Sequence, residues 1–247
     1  MRKFLLLVLA LFITTGIVSA ATKKATLRVG SAIDYAPFEF RDAKGKETGF
    51  DIDLISEIGK RMGYNVEFVD MKFTGLIPSL QAETIDVIAS TVTITDERKK
   101  VVDFTEPYYK SGITISVKNG STIKTPADLV GKKIGVQMGT TSDTFATAVK
   151  DADVTRFEDT SAAFMSLSAG KVDAVVADAP INAYYIKISK DKNMQVVGDV
   201  LDAEFYGFVV NKKNPELKGK INETLAKMRK DGGYNKIYKK WFGNTKQ

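Results

Sequence analysis

A strand that runs out into hydroxyl residues and then a helix is written in Asp86-Val87-Ile88-Ala89-Ser90-Thr91-Val92-Thr93-Ile94-Thr95-Asp96-Glu97-Arg98-Lys99-Lys100. Its first half is short, apolar and β-branched, the pattern of a buried strand. Thr95-Asp96 then stands before a charged, helix-favouring segment as an N-cap, placing Arg98 in the first turn. Ser90, Thr91 and Thr93 occupy the loop between them. A loop just beyond the carboxyl end of a strand is where open α/β sheets bind ligands. Loop N–H groups, hydroxyls and one guanidinium are what a small carboxylate requires, the arginine acting as a two-pronged donor. The same spacing also fits a surface helix in which Arg98 pairs with Asp96 or Glu97.

Outward from this segment, the amino end has the plan of an export signal. Arg2 and Lys3 precede an apolar run from Phe4 to Val18, and Val18-Ser19-Ala20 supplies small residues for cleavage after Ala20. No later stretch is long and apolar enough to cross a bilayer. The chain contains no cysteine, so an exported product rests on burial rather than disulfides, and no thiol stands at the cleavage site to carry a lipid. It contains no histidine, which removes the commonest general base and zinc ligand. The formal charge of +6 becomes +4 once Arg2 and Lys3 are removed with the signal. Its lysines are interleaved with acids along the chain, the texture of a solvated surface rather than of a nucleic-acid interface.

The remaining chain alternates strands and helices. Thr26 to Ala32 reads as a strand, Phe38–Phe40 and Thr48–Phe50 as a short hairpin, and Asp51 as the cap of a helix through Ile52, Ile55, Ile58 and Met62 that ends at Gly63. Asn65–Asp70 is a strand, and Phe73-Thr74-Gly75 leads into a short helix before the segment quoted above. This βαβ order argues for parallel strands covered by helices. An extended run, Ile113–Val117, opens a second series: a strand at Lys133–Gln137, a helix N-terminus at Gly139-Thr140-Thr141-Ser142, strands at Thr155–Glu158 and Asp173–Ala177 with a helix between them, and a helix from Asn182 to about Lys190. Gln195–Gly198 and Phe205–Val210 are extended again. Pro215 opens an amphipathic helix with Leu217, Ile221, Leu225 and Met228 on one face, and Tyr234–Phe242 forms a last short helix. The expected architecture is α/β with two βαβ lobes joined by two hinge strands. The first lobe takes residues 21–108 and 206–247 and the second 109–205, with crossings near 108–112 and 202–206. One continuous doubly wound sheet is the alternative.

Pro37-Phe38-Glu39-Phe40, Gly49-Phe50-Asp51-Ile52-Asp53-Leu54, Ile94-Thr95-Asp96-Glu97-Arg98, Pro107-Tyr108-Tyr109 and Tyr234 to Gly243 together resemble the periplasmic solute-binding proteins of polar amino-acid ABC transporters. The resemblance extends over essentially the whole chain after the signal. It implies the type II periplasmic-binding-protein fold, a monomer whose lobes close on a free L-amino acid, and an ABC permease as recipient, with no cofactor. It also implies the site. Arg98 matches the clamp of the ligand carboxylate, and Thr93 a backbone donor to that carboxylate. Thr91, with Ser90 beside it, matches a carbonyl acceptor for the ammonium. Thr140 and Thr141 match a helix N-terminus that also donates to the carboxylate, and Asp178 the acid that pairs with the ammonium. Tyr35 and Phe73 match the aromatics that sandwich the side chain. Many relatives carry Asp where this chain has Ala32. Glutamine binders place Lys and His where it has Gln137 and Ala177, so the resemblance does not assign glutamine, and Gln137 can hydrogen-bond either an amide or a carboxyl.

The chemistry of a zwitterion agrees with such a site, because both of its charges must be answered once water is removed. Two other readings use the same fold: a cyclohexadienyl dehydratase, in which a cleft acid transfers a proton, and an amino-acid sensor module. The absence of histidine and an aspartate placed for an ammonium favour binding over catalysis.

Overall fold

The computed structural model describes residues 24–188 and 193–244. The export signal expected at residues 1–20, and the end of the helix expected to reach Lys190, lie outside the described residues.

The chain begins with β1 (Thr26–Ser31), a hairpin of β2 (Phe40–Arg41) and β3 (Glu47–Thr48), α1 (Phe50–Arg61), β4 (Asn65–Asp70) and α2 (Phe73–Gln81). The segment that opened the sequence reading becomes β5 (Val87–Ile88) and α3 (Asp96–Lys99), followed by β6 (Asp103–Phe104). The second series holds β7 (Tyr109–Lys118), a 3-10 turn at Pro126–Leu129, β8 (Lys133–Gln137), α4 (Thr141–Ala148), β9 (Asp153–Phe157), α5 (Thr160–Ser168), β10 (Ala174–Asp178), α6 (Ala179–Ile188) and β11 (Met194–Tyr206). The chain then returns through β12 (Val209–Val210) to α7 (Pro215–Asp231) and α8 (Gly233–Phe242).

Two five-stranded sheets result, ordered β4-β1-β5-β12-β6 and β11-β7-β10-β8-β9. In the first, β4, β1 and β5 run parallel; in the second, β10, β8 and β9 do. The chain passes between sheets twice, where β6 leads to β7 and β11 leads to β12. The long antiparallel strands β7 and β11 run side by side, with Tyr109 opposite Tyr206 and their rings stacked at 5.7 Å. Tyr108 stacks on Phe208 beside them at 4.4 Å. Burying four aromatic rings where the strands cross gives the hinge a large apolar contact with defined ring geometry. The single doubly wound sheet is not formed.

Local choices follow the sequence with instructive departures. Ile55 and Ile58 are fully buried on α1, as their spacing requires. Asp51, however, is not its cap. Gly49 holds that position with φ 138°, and a Cβ there would lie 1.9 Å from the carbonyl oxygen of Phe38. Only glycine permits so close an approach of backbone to backbone, and Asp51 is left free to turn inward from the first turn. The segments expected as separate extended runs at 195–198 and 205–210 are one long strand, β11, interrupted by register shifts, with β12 beyond it. Helix α6 begins at Ala179 rather than Asn182, because Asn182 is turned into the core, where its Nδ2 donates to the carbonyls of Thr114 and Ala177. The terminal helices pack on α1, where the Asp53 carboxylate accepts from Trp241 Nε1 at 2.7 Å.

Candidate functional site

The parallel strands of both sheets direct their carboxyl ends toward one cleft. Tyr35 follows β1, Phe73 follows β4, the Thr91–Thr93 loop follows β5, Thr140 follows β8, and Asp178 closes β10. Tyr35, Phe73, Thr91, Thr93, Arg98, Gln137, Thr140, Thr141 and Asp178 surround one narrow, nearly filled cavity. Such a crevice at strand ends is the usual ligand position in α/β folds. Among the described residues, no group of three or more His, Cys, Asp or Glu side chains is placed to hold a metal ion.

The loop after β5 is fixed by its neighbours. Thr91 has φ 48°, an unusual value for a β-branched residue, which costs on the order of 1–3 kcal/mol unless held. Its N–H donates to Asp51 Oδ2 at 2.9 Å, and its hydroxyl donates to Glu39 Oε1 at 3.1 Å. The hydroxyl of Tyr108 also donates to Asp51 Oδ2. Farther along, Ile94 N–H donates to the Phe205 carbonyl at 2.8 Å, tying the loop to the hinge strand. Ser90 does not line the cavity. Its Oγ accepts from Ala32 N–H at 3.0 Å and donates to Glu39 Oε1 at 3.2 Å, so this hydroxyl braces the loop from behind.

Thr95 caps α3 by accepting from Arg98 N–H at 3.1 Å, which turns the arginine back over the loop. Asp96 and Glu97 pair with Lys99 and Lys100 rather than with Arg98. The Arg98 guanidinium instead donates to the Thr93 carbonyl at 2.8 Å and to the Gly139 carbonyl of the other lobe at 3.1 Å. It lies 5.5 Å from the centroid of the Phe73 ring. Among the described residues, no carboxylate comes within ion-pair distance of it. Burial draws its pKa down, while Glu204 and Asp178 pull the other way. A guanidinium resting on carbonyls and a ring, with no ion-pair partner among the described residues, is suited to an anion.

The second lobe contributes different parts. Gly139, at φ 78°, turns the chain into α4, and a Cβ there would meet the Thr74 methyl at 3.1 Å across the cleft. Thr140 caps α4, accepting from Asp143 N–H at 3.2 Å and donating to the Gln137 carbonyl at 2.8 Å. Asp178 is 4% exposed and accepts from the Tyr206 hydroxyl, with Tyr35 beside it. Burial pushes its pKa up to about 6, opposed by the hydroxyls of Tyr206 and Tyr35 and by Arg98. Gln137 is buried, its Oε1 accepting from Thr160 at 3.0 Å.

Three carboxyls around this cleft were not singled out as site residues from the sequence. Glu39 and Asp51 are completely buried side chains. Burial pushes Asp51 up to about 7, and burial together with Asp51 raises Glu39 well above the carboxylate range. Asp34 is likewise raised to about 7, by burial and then by Asp159. A lone Asp or Glu at a strand end carries no periodic signal, so only the tertiary contacts reveal these groups.

Two lobes built on parallel strands, crossed twice and closed over a cleft that holds the Arg98 guanidinium, define a type II periplasmic-binding-protein fold. Residues 27–244 match the family model of bacterial extracellular solute-binding proteins, family 3, and the chain belongs to that family. The L-cystine-binding protein of Escherichia coli (strain K12) is 35% identical over 235 residues, covering 94% of this chain and 88% of its own length. The L-arginine-binding protein of Pseudomonas aeruginosa is 38% identical over 226 residues, covering 87% of each. Among solved structures, an ancestral arginine-binding protein bound to arginine superposes with a TM-score of 0.87 at 47% identity, covering 89% of this chain and 99% of that one.

Proposed function

We propose that the protein is an extracytoplasmic receptor that captures a free L-amino acid between its lobes and hands it to an ABC permease. The observation that carries this reading is the pair Arg98 and Asp178. They come from opposite lobes and line one cavity, and neither forms an ion pair with another of the described residues. In this reading Arg98 holds the α-carboxylate, joined by backbone N–H groups at Thr93 and at the α4 N-terminus around Thr140 and Thr141. Asp178 and the Thr91 carbonyl take the α-ammonium. Tyr35 and Phe73 flank the side chain, and Gln137 faces its polar part. Contacts from both lobes are complete only when the cleft is closed, so the ligand favours closure. Named relatives that bind cystine or arginine support an amino-acid ligand.

The lobes divide as residues 21–108 with 206–247, and 109–205, the crossings acting as hinges. Residues 1–20 serve as the export signal and the mature protein works as a periplasmic monomer. It performs no chemistry on its ligand. Asp178 is engaged by tyrosine hydroxyls and suited to an ammonium, which a prephenate-like substrate lacks.

The test is a thermal-shift screen of the proteinogenic amino acids on protein unfolded and refolded to strip carried-over ligand. A ligand present at one hundred times its Kd is expected to add about 2.7 kcal/mol. If no L-amino acid raises the melting temperature, and prephenate or arogenate is turned over, the receptor reading is lost.

A further inference from the structure

Resting on the receptor reading above, we infer that Glu39 works as a neutral, protonated carboxyl. In this role it is a positioning residue, leaving Asp51 as the member of the pair that ionises and holds the Thr91 backbone for the ligand. Glu39 stands just before β2 and Asp51 in the first turn of α1, and both side chains are fully buried. They converge on one residue from two elements. Asp51 Oδ2 accepts from Thr91 N–H at 2.9 Å, and Glu39 Oε1 accepts from Thr91 Oγ1 at 3.1 Å. Each carboxyl keeps one buried oxygen, Glu39 Oε2 and Asp51 Oδ1, with no hydrogen-bond partner among the described residues. No lysine or arginine among the described residues comes within ion-pair distance of either.

The groups that face the pair bring no positive charge. Tyr108 donates its hydroxyl to Asp51 from the start of β7, and Asp34 and Tyr35 stand on the loop after β1. The loop after β5 contributes only the hydroxyls of Ser90 and Thr91 and the Thr91 N–H. Two neighbouring carboxyls withdrawn from water without a cation cannot both ionise without a large penalty, so one keeps its proton. The bonding decides which. Asp51 Oδ2 takes a backbone N–H, which can only donate, together with a phenol, and that pair of donors favours the anion. The partners of Glu39 are aliphatic hydroxyls, which donate or accept as required, so a neutral Glu39 stays satisfied. Burial and then Asp51 act in the same direction on Glu39. Thr91 sits at φ 48°, and its carbonyl is the one assigned above to the ligand ammonium. Ionising Glu39 would set two like charges against each other behind this residue and remove the support for its unusual backbone.

The test reads the carboxyl first and its effect on binding second. Carbon-13 NMR of the glutamate carboxyls in ligand-free wild type is expected to show one glutamate in its acid form at about pH 7, absent from Glu39→Gln. Calorimetry with the amino acid that wild type binds is expected to show Glu39→Ala weakened about tenfold, the brace being lost. Glu39→Gln, which copies the neutral acid, is expected to recover most of that loss, to within about threefold of wild type. The folded state holds this proton more tightly than the unfolded state, so its stabilisation is present at low pH and lost as pH rises. The fall of melting temperature with rising pH is therefore expected to be shallower in Glu39→Gln than in wild type. Wild type with every glutamate ionised at about pH 7 overturns the inference without any variant. So does a glutamine variant that binds as weakly as the alanine variant, or an alanine variant that binds like wild type; each leaves the receptor reading standing. Failure of every amino acid to bind wild type removes the receptor reading and the positioning role with it.

Discussion

The two walls of the cleft are built on different principles. The first-lobe wall, Thr91 to Arg98, is an irregular loop with a residue at φ 48°, braced from behind by buried Glu39 and Asp51 and stitched to the hinge strand at Ile94. The second-lobe wall, Gln137 to Thr141 with Asp178, uses strand ends and an ordinary capped helix start. The first is preorganised by buried polar contacts, which are costly to disturb. The second offers free N–H groups and a close glycine approach, and it completes the site when the lobes meet. Local disturbance of the first wall should therefore be felt in both stability and binding, whereas disturbance of the second should be felt mainly in binding.

Removing the guanidinium gives the largest expected effect. Arg98→Ala is expected to weaken every amino-acid ligand by about a thousandfold or more, since the bound carboxylate would then be desolvated without a partner. Calorimetry checks this, and a retained Kd would remove Arg98 from the site.

Next is Asp51→Asn. Asp51 receives the Thr91 N–H and the Tyr108 hydroxyl while fully buried. The variant is expected to lose about 1–3 kcal/mol of stability at pH 5–7 and to bind less tightly, because a buried acceptor has been altered and the loop loosened. The pH dependence has a defined sign. Asp51 is raised from 3.8 to about 7 and Asp178 to about 6, so the folded state holds protons that the unfolded state has released. Their stabilising contribution is present in full below about pH 4 and is lost as pH rises through 6 to 7, at about 1.4 kcal/mol per pH unit for each group titrating in that window. Ligand-free protein should melt higher at pH 5 than at pH 8, with a shallower slope in Asp51→Asn. Affinity should move the other way below about pH 6, where Asp178 takes the proton that an ammonium must displace. Parallel rather than opposed trends would contradict the assignment of Asp178.

Gly139→Ala tests the closing wall. The added methyl must displace Thr74 and adopt φ 78°, so affinity should fall about tenfold, the scale of 1.4 kcal/mol, with a smaller change in melting temperature. A melting change as large as the affinity change would place the strain within the second lobe rather than between lobes. Thr140→Ala should have the smallest effect, about 1 kcal/mol of stability from the lost cap.

Much of this contrast is visible before any coordinates. Thr95 and Thr140 announce their helix starts, because capping is a local matter of a hydroxyl and the N–H three residues on. Arg98, Thr91 and Thr93 share one short segment, and Asp178 ends a plainly apolar strand. Asp51 looks like a helix cap from its neighbours and becomes a buried brace, because its partners Thr91 and Tyr108 lie forty and fifty-seven positions away. Ser90 looks like a ligand residue for the same reason, and its hydroxyl is instead engaged by Ala32 and Glu39. The unusual backbone of Thr91 has no signature in composition, since it is imposed by contacts formed only on folding.

The most direct measurement compares one L-amino acid ligand with its methyl ester and its N-acetyl derivative by calorimetry on the same wild-type protein. If Arg98 and Asp178 grip opposite ends of a zwitterion, each derivative should bind at least about a thousandfold more weakly than the parent. A derivative that binds as tightly as the parent would show that the corresponding charge is not held, and would contradict the two-ended grip.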